Sequence, residues 1–311
     1  MSDPSAVSAD LSSSHVGGEV HEESARSLGR DAWDDLRKRP MVIVAVILIA
    51  ILIVMAAFPG LFTSRGPRDC APLYAREGPS GDAWFGRDLL GCDVYARTIY
   101  GARASVVVGV LAAAMVFIVG VTLGMIAGYF GGFVDTIISR TADVFYGIPF
   151  ILGAIIVLIS LPTGSDTAFW IPVMKVVLAL TVLVWPAMGR LMRSSVLQIK
   201  QADYVAAARA LGASSPRILR THVLPNAVQP AIVYATVALG AFIGAEATLS
   251  YLGVGLRPPV VSWGIDINRA TGYMQSSPHM LFFPAVFLSI TVLAFIMLGD
   301  AVRDALDPKL R

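Results

Sequence analysis

The chain has 311 residues, of which 56% are hydrophobic and 15% charged, with a mean hydropathy of +0.69. That composition excludes an ordinary soluble globular protein and indicates an all-α polytopic membrane protein. The net charge of +2 gives no electrostatic case for a nucleic-acid partner.

Residues 1–39 form a polar tail rich in Ser, Gly and acidic residues. Its first half is too polar to bury a core. From Ser24 to Arg39, Leu28, Ala32, Trp33 and Leu36 fall roughly on one helical face, which suits an amphipathic helix at the membrane interface or against a partner. A loosely ordered juxtamembrane tail is the alternative. Met41 to Phe58 is an unbroken apolar run, and with its extension to Phe62 it spans a bilayer, giving a first transmembrane segment over 40–62. Arg37, Lys38 and Arg39 precede it and argue for a cytoplasmic N-terminus. Tail and run are both too long for a secretory signal.

Residues 63–103 then form an extracytoplasmic loop. Its arginines (Arg65, Arg68, Arg76, Arg87, Arg97) are offset by Asp69, Glu77, Asp82, Asp88 and Asp93. Cys70 and Cys92 are the 2 cysteines of the chain, and both lie in this loop. A disulfide is expected, with two free thiols as the alternative. Closing a loop of that size stabilises it by roughly 3 kcal/mol. A metal site needs more ligands than the loop supplies.

Residues 104–300 read as a five-helix core. Its spans run from Ala104 to about Gly128, Val144 to Leu161, Ala168 to Gly189, Ala227 to Tyr251 and Leu281 to Gly299, making six with the first. Gly120, Gly124 and Gly128 form a small-residue stripe for close helix packing. Arg140 and Asp143 are spaced to pair at the inner interface. Lys175 is placed to snorkel, and Pro186 to kink its span. Glu246 is the carboxylate set inside an apolar run, a candidate for either a pathway acid or a structural one. Pro258-Pro259 and Ser262-Trp263-Gly264 are expected to keep the loop from Gly253 to Pro278 free of regular helix. Residues 301–311 form a second cytoplasmic tail.

The most polar internal segment, Asp203 to Asn226, lies within a basic loop over 190–226. Arg190, Arg193, Lys200, Arg209, Arg217 and Arg220 lie in or just before it. Val205 to Leu211 is Ala-rich and helix-favouring. Gly212 suits the left-handed residue that ends a helix. Ser215 and Pro216 read as N-cap and N1 of a second short helix, which Pro225 and Asn226 close.

This pattern resembles the ATPase-docking loop of ABC-importer permeases. Ala206, Ala207 and Ala208 stand at the family's Glu-Ala-Ala positions, Gly212 at its glycine, and His222, Val223, Leu224 and Pro225 at its final four. Ala206 for Glu and His222 for Ile are departures. Phe85 to Val94, Ile99 to Ser105, Gly128 to Asp135 and Glu246 to Gly264 also resemble segments of peptide-importer permeases, and Arg87 and Cys92 depart from the usual pattern. Together these cover most of the chain from Arg30 and resemble the C-type permease subunit of oligopeptide and dipeptide importers.

The resemblance implies a type I permease fold in the plasma (inner) membrane and a homologous second permease subunit. It implies one or two ABC ATPase subunits, or a fused ATPase, and an extracytoplasmic peptide-binding protein. Asp203, Ala206, Ala207, Ala208, Arg209, Leu211, Gly212, Leu224 and Pro225 would then couple to the ATPase. ATP and Mg would be bound by that partner, with no cofactor on this chain, and membrane lipids would be among its partners. No lysine follows a glycine, so a Walker A cradle is absent. Neither H-E-x-x-H nor G-x-S-x-G occurs, so an intramembrane hydrolase is poorly supported, and the resemblance implies a non-catalytic permease subunit. Nickel, glutathione or another small solute is the alternative cargo, and an ion-gradient transporter the alternative class.

Overall fold

The computed structural model describes residues 39–162 and 168–306. The expected amphipathic helix at Ser24 to Arg39, but for its last residue, and residues 307–311 of the final tail lie outside them. Among the described residues all regular structure is helical. Helix α1 is Pro40–Ala57, α2 Val94–Phe130, α3 Gly132–Tyr146, α4 Phe150–Ser160 and α5 Trp170–Ile199. After them come α6 (Asp203–Ala210), α7 (Ser215–Ile218), a π-helical turn at Leu219–Val223 and α8 (Leu224–Ala227). Helices α9 (Gln229–Tyr251), α10 (Trp263–Ala270) and α11 (His279–Leu306) complete the chain. Helices α1, α2, α5, α9 and α11 are long and apolar enough to cross a bilayer, and α3 with α4 forms a sixth pair bent by 98°.

The apolar spans were legible; their ends and breaks were not. Helix α2 begins ten residues before the expected Ala104, because Asp93 caps it: its Oδ1 accepts from Tyr95 N at 2.8 Å and Ala96 N at 3.4 Å. That satisfies orphan first-turn amides and shortens the preceding loop to residue 93. The expected third span is not one helix. Proline 149 has no amide to donate and disfavours helical geometry at Ile148, so α3 stops at Tyr146 and the chain turns sharply into α4. The segment Gly128 to Asp135 is helical on both sides of Gly131, which joins α2 to α3 at φ +69°. Helices α5 and α11 outrun their expected ends and carry Pro186 and Pro284 inside them.

Three further expectations are corrected. Ser262 does not prevent a helix but starts one: its Oγ accepts from Ile265 N at 3.4 Å, and α10 follows. Pro225 and Asn226 do not close the second short helix either. Proline 225 cannot donate to the preceding turn, and the ladder widens into the π turn just before it and then runs on through α8 into α9. The cap before α7 is Ser214, one residue earlier than read, and it makes no side-chain cap bond.

Helices α2 and α5 form the most intimate pair. The glycine stripe of α2 lies on Met188, Gly189, Met192 and Val196 of α5; a Cβ on Gly124 would sit 2.3 Å from the Gly189 carbonyl oxygen. Bare backbone at these positions is what lets two apolar helices meet where lipid offers no hydrophobic drive. Helix α9 packs on α2 and α11, and α1 lies outside against α11 and α2. Arg39, just before α1, pairs with Asp304 near the end of α11 at 2.7 Å. Tyr95 at the start of α2 donates to Phe62 O, just past α1, at 3.1 Å. The bundle thus has two ends. One carries Arg39, the end of α2 and residues 200–227. The other carries the cysteine loop, α10 and the start of α11.

Candidate functional site

Residues 203–226 form a knob at the first end. Its underside is apolar: Val205, Ile218, Leu219 and Val223 are buried in the main core. Its outer side is bare: Asp203, Ala206, Ala207, Arg209, Gly212 and Pro225 are exposed, Ala208 and Leu224 are half-buried, and Leu211 is 88% exposed. The turn after α6 is a Schellman motif, with Gly212 N donating to Arg209 O at 3.0 Å and Ala213 N to Ala208 O at 3.1 Å. Gly212 takes φ +78°, and nothing within 4 Å would obstruct a side chain there. The glycine is therefore required by backbone conformation alone.

The basic residues in and just before the knob divide into two sets. Arg193 grips Asp135 of α3 through two contacts of 2.6 Å, a bidentate fork. Arg190 pairs with Asp143 at 2.6 Å and lies over the Tyr146 ring at 4.0 Å. Asp143 also meets Arg140 at 3.6 Å, as its spacing suggested. Lys200 Nζ donates to Gly128 O at 3.0 Å and Tyr129 O at 3.2 Å, at the end of α2. These three bases root the knob onto α2 and α3. Arg209, Arg217 and Arg220 are exposed, and no ion pair among the described residues includes them. Sequence reading counted all six as one basic patch; only the fold separates anchors from free charges.

Glu246 does not belong to the knob. About 19 residues of helix separate it from Ala227, on the order of 28 Å. It is 0% exposed. Ser105 Oγ donates to its Oε2 and Ser250 Oγ to its Oε1, each at 2.8 Å. Ser250 Oγ in turn accepts from Leu256 N at 2.9 Å. Both partners are serine hydroxyls.

The same end holds the cysteine loop, in which Cys70 and Cys92 are joined by a disulfide. Beside it lies a second buried polar cluster that sequence reading missed. Arg97, on the first turns of α2, pairs with Asp266 of α10, and its Nε also stands 3.5 Å from Asp88 Oδ2. Burial pushes the Asp266 carboxyl above the usual carboxylate range, against the pull of Arg97. Trp263 Nε1 donates to Thr98 O at 2.8 Å. The balanced charges of the loop were visible in sequence, but these partners stand 165–169 residues apart.

Residues 120–311 match the family described as binding-protein-dependent transport system inner membrane component. Residues 27–79 match the N-terminal transmembrane domain of oligopeptide transport permease C. The chain belongs to this transport family. It is 41% identical to the dipeptide transport system permease protein DppC of Bacillus subtilis, over 92% of this chain and 87% of that one. With the oligopeptide transport system permease protein OppC of the same organism it shares 39% identity, over 92% and 91%. The glutathione transport system permease protein GsiD of Pectobacterium atrosepticum is 35% identical, over 94% and 95%. In structure the chain resembles an inward-facing MetNI methionine ABC transporter chain, with TM-score 0.52 and 22% identity, over 67% of this chain and 96% of that one. That likeness gives the fold, an importer-type permease bundle. The family places the subunit in a membrane as a transport component.

Proposed function

We propose that this permease forms half of a translocation pathway for dipeptides or oligopeptides and is driven by an ATPase seated on the knob. The observation that carries the coupling is the knob itself. Its underside is welded to the core and its neck tied by Arg190, Arg193 and Lys200, while Ala206, Ala207 and Ala210 stay exposed. A rigid root with a small-residue tip is suited to receive force, because small side chains let a partner groove come close to the backbone. Binding-protein-dependent systems of this family supply the rest of the reading: a homologous second permease, one or two ATPase subunits or a fused one, and an extracytoplasmic peptide-binding protein. ATP and Mg belong to the ATPase, and this subunit performs no chemistry. Both termini lie in the cytoplasm, which agrees with Arg37, Lys38 and Arg39 before α1 and with the Arg39–Asp304 pairing of the two chain ends. ATP-driven closure then draws the two knobs together and opens the pathway outward, a choice between two packings of similar free energy.

The test pairs Ala207→Trp with Ala210→Cys. Ala207→Trp should abolish ATP-dependent dipeptide uptake by proteoliposomes and leave the amount of folded subunit unchanged. Ala210→Cys should cross-link to an ATPase in native vesicles. Uptake that survives Ala207→Trp and instead collapses with the ion gradient would overturn coupling through the knob. The relatives named for glutathione transport favour a second cargo reading, decided by whether unlabelled glutathione outcompetes dipeptide in the same assay.

A further inference from the structure

A cavity of about 270 Å³ lies between the cysteine loop, the first turns of α2, α10 and the start of α11. Its lining combines apolar residues, Leu89 and Met280 among them, with four charged ones, Asp88, Arg97, Asp266 and Arg269. The four charges cancel, yet they are unequally used. Arg97 spends both Nε and Nη2 on the same oxygen, Asp266 Oδ1, and gives its Nη1 to Pro67 O at 3.3 Å. Asp88 is satisfied by Leu90 N at 2.8 Å, Cys92 N at 2.9 Å and Arg97. Asp266 Oδ2 is left buried without a hydrogen-bond partner. The Arg269 side chain, half-buried and lining the same cavity, enters no hydrogen bond or ion pair among the described residues, although its charge acts on the Asp266 carboxyl without touching it.

A buried carboxylate oxygen without a donor is a costly arrangement, and folded proteins almost always relieve it. Here the carboxylate that carries the unsatisfied acceptor and a guanidinium without a hydrogen-bond or ion-pair partner line one cavity whose four charges sum to zero. A lone cation would meet Arg269, and a lone anion would meet Asp266. A molecule that carries an ammonium and an anionic group together satisfies both. The size argues for something small, since the volume falls just below the roughly 300–1,000 Å³ of drug-sized pockets.

We propose that this cavity is a binding site for a small primary-amine zwitterion, with the ammonium on the Asp266 carboxylate, the anionic group on Arg269 and an apolar side group against Leu89 and Met280. A free α-amino acid with an aliphatic side chain has this chemistry, and so does a phosphatidylethanolamine headgroup. The site stands apart from the knob and holds whether or not the cargo is a peptide.

The test uses the intact transporter complex in phosphatidylcholine nanodiscs, which lack primary amines, with tritiated L-leucine as probe. Saturable binding is expected. Arg269→Gln should weaken it at least tenfold and leave the Arg97–Asp266 pair and the complex intact on size exclusion. Unlabelled leucine should compete, while 4-methylpentanoate and isoamylamine, each with half of the zwitterion, should not. In a second arm, phosphatidylethanolamine is added to the nanodiscs and bound lipid is counted by native mass spectrometry. One phosphatidylethanolamine retained per subunit and lost in Arg269→Gln, without leucine binding, would support the site and name lipid as its source. Binding of neither probe, or binding of either that Arg269→Gln leaves unchanged, overturns the proposal.

Discussion

The two ends of the bundle are built on opposite principles. The knob is held by neighbours close in sequence: its cap bonds join residues three to five apart, and its tip is bare. The opposite end is a clasp closed by partners remote in sequence, Ser105 with Glu246 and Arg97 with Asp266, separated by 141 and 169 residues and buried. A locally determined, exposed element keeps its shape when a partner comes and goes. A buried polar clasp fixes which helices lie together, at the expense of desolvating every group in it. Substitutions in the clasp should therefore be read out as stability, and those in the knob as transport.

The sharpest separation comes from Arg97→Leu. It leaves Asp266 buried with neither oxygen paired, and breaking a buried ion pair from one side costs about 3–5 kcal/mol. We expect loss of most folded subunit in a denaturant titration in micelles. Asp266→Asn with Arg97→Leu should recover part of that loss, because the stranded charge is gone. If Arg97→Leu were as stable as the parent, the clasp would contribute nothing and the comparison would fail.

Next in size is the disulfide. Cys70 and Cys92 are 22 residues apart, and a closure of that length stabilises by roughly 3 kcal/mol in the chain-entropy model. Cys70→Ser with Cys92→Ser should lower the thermal midpoint of the complex and expose the 71–91 segment to protease. ATPase activity stimulated through the knob should persist in the molecules that remain folded. Equal loss of ATPase coupling and of stability would mean that the two ends are not separable.

How much of this was legible in the sequence follows from the same distinction. The six apolar stretches, the glycine stripe, the helix ended by Gly212 and the cysteine pair are encoded in composition and short spacing. Glu246 stood out as an acid in an apolar run, but its serine partners did not, because a serine in a membrane helix ordinarily bonds back to its own turn. Arg97 was counted among loop charges because α2 was started too late; Asp93 before Val94 was the cap signal that would have placed it on a helix. Ser262 was a cap signal of the same kind, outweighed by the prolines before it. The bent α3–α4 pair hinges on Pro149, a single residue inside an apolar run that is long enough to read as one span.

The smallest effect is expected at Gly212, and it discriminates most finely. At φ +78° an alanine is strained by about 1–2 kcal/mol, whereas asparagine visits this region more readily. Open space around the residue means that neither side chain meets a steric obstacle. Stability should therefore rank Gly212, then Asn, then Ala, across a narrow range. If the turn serves only to end α6, uptake should follow that same shallow order. If the turn also presents its bare backbone to an ATPase groove, Gly212→Asn should depress uptake well beyond its stability deficit, because the added side chain projects into space that the partner would occupy. ATP-dependent uptake normalised to folded complex, measured for the three proteins side by side, separates a capping glycine from a docking one.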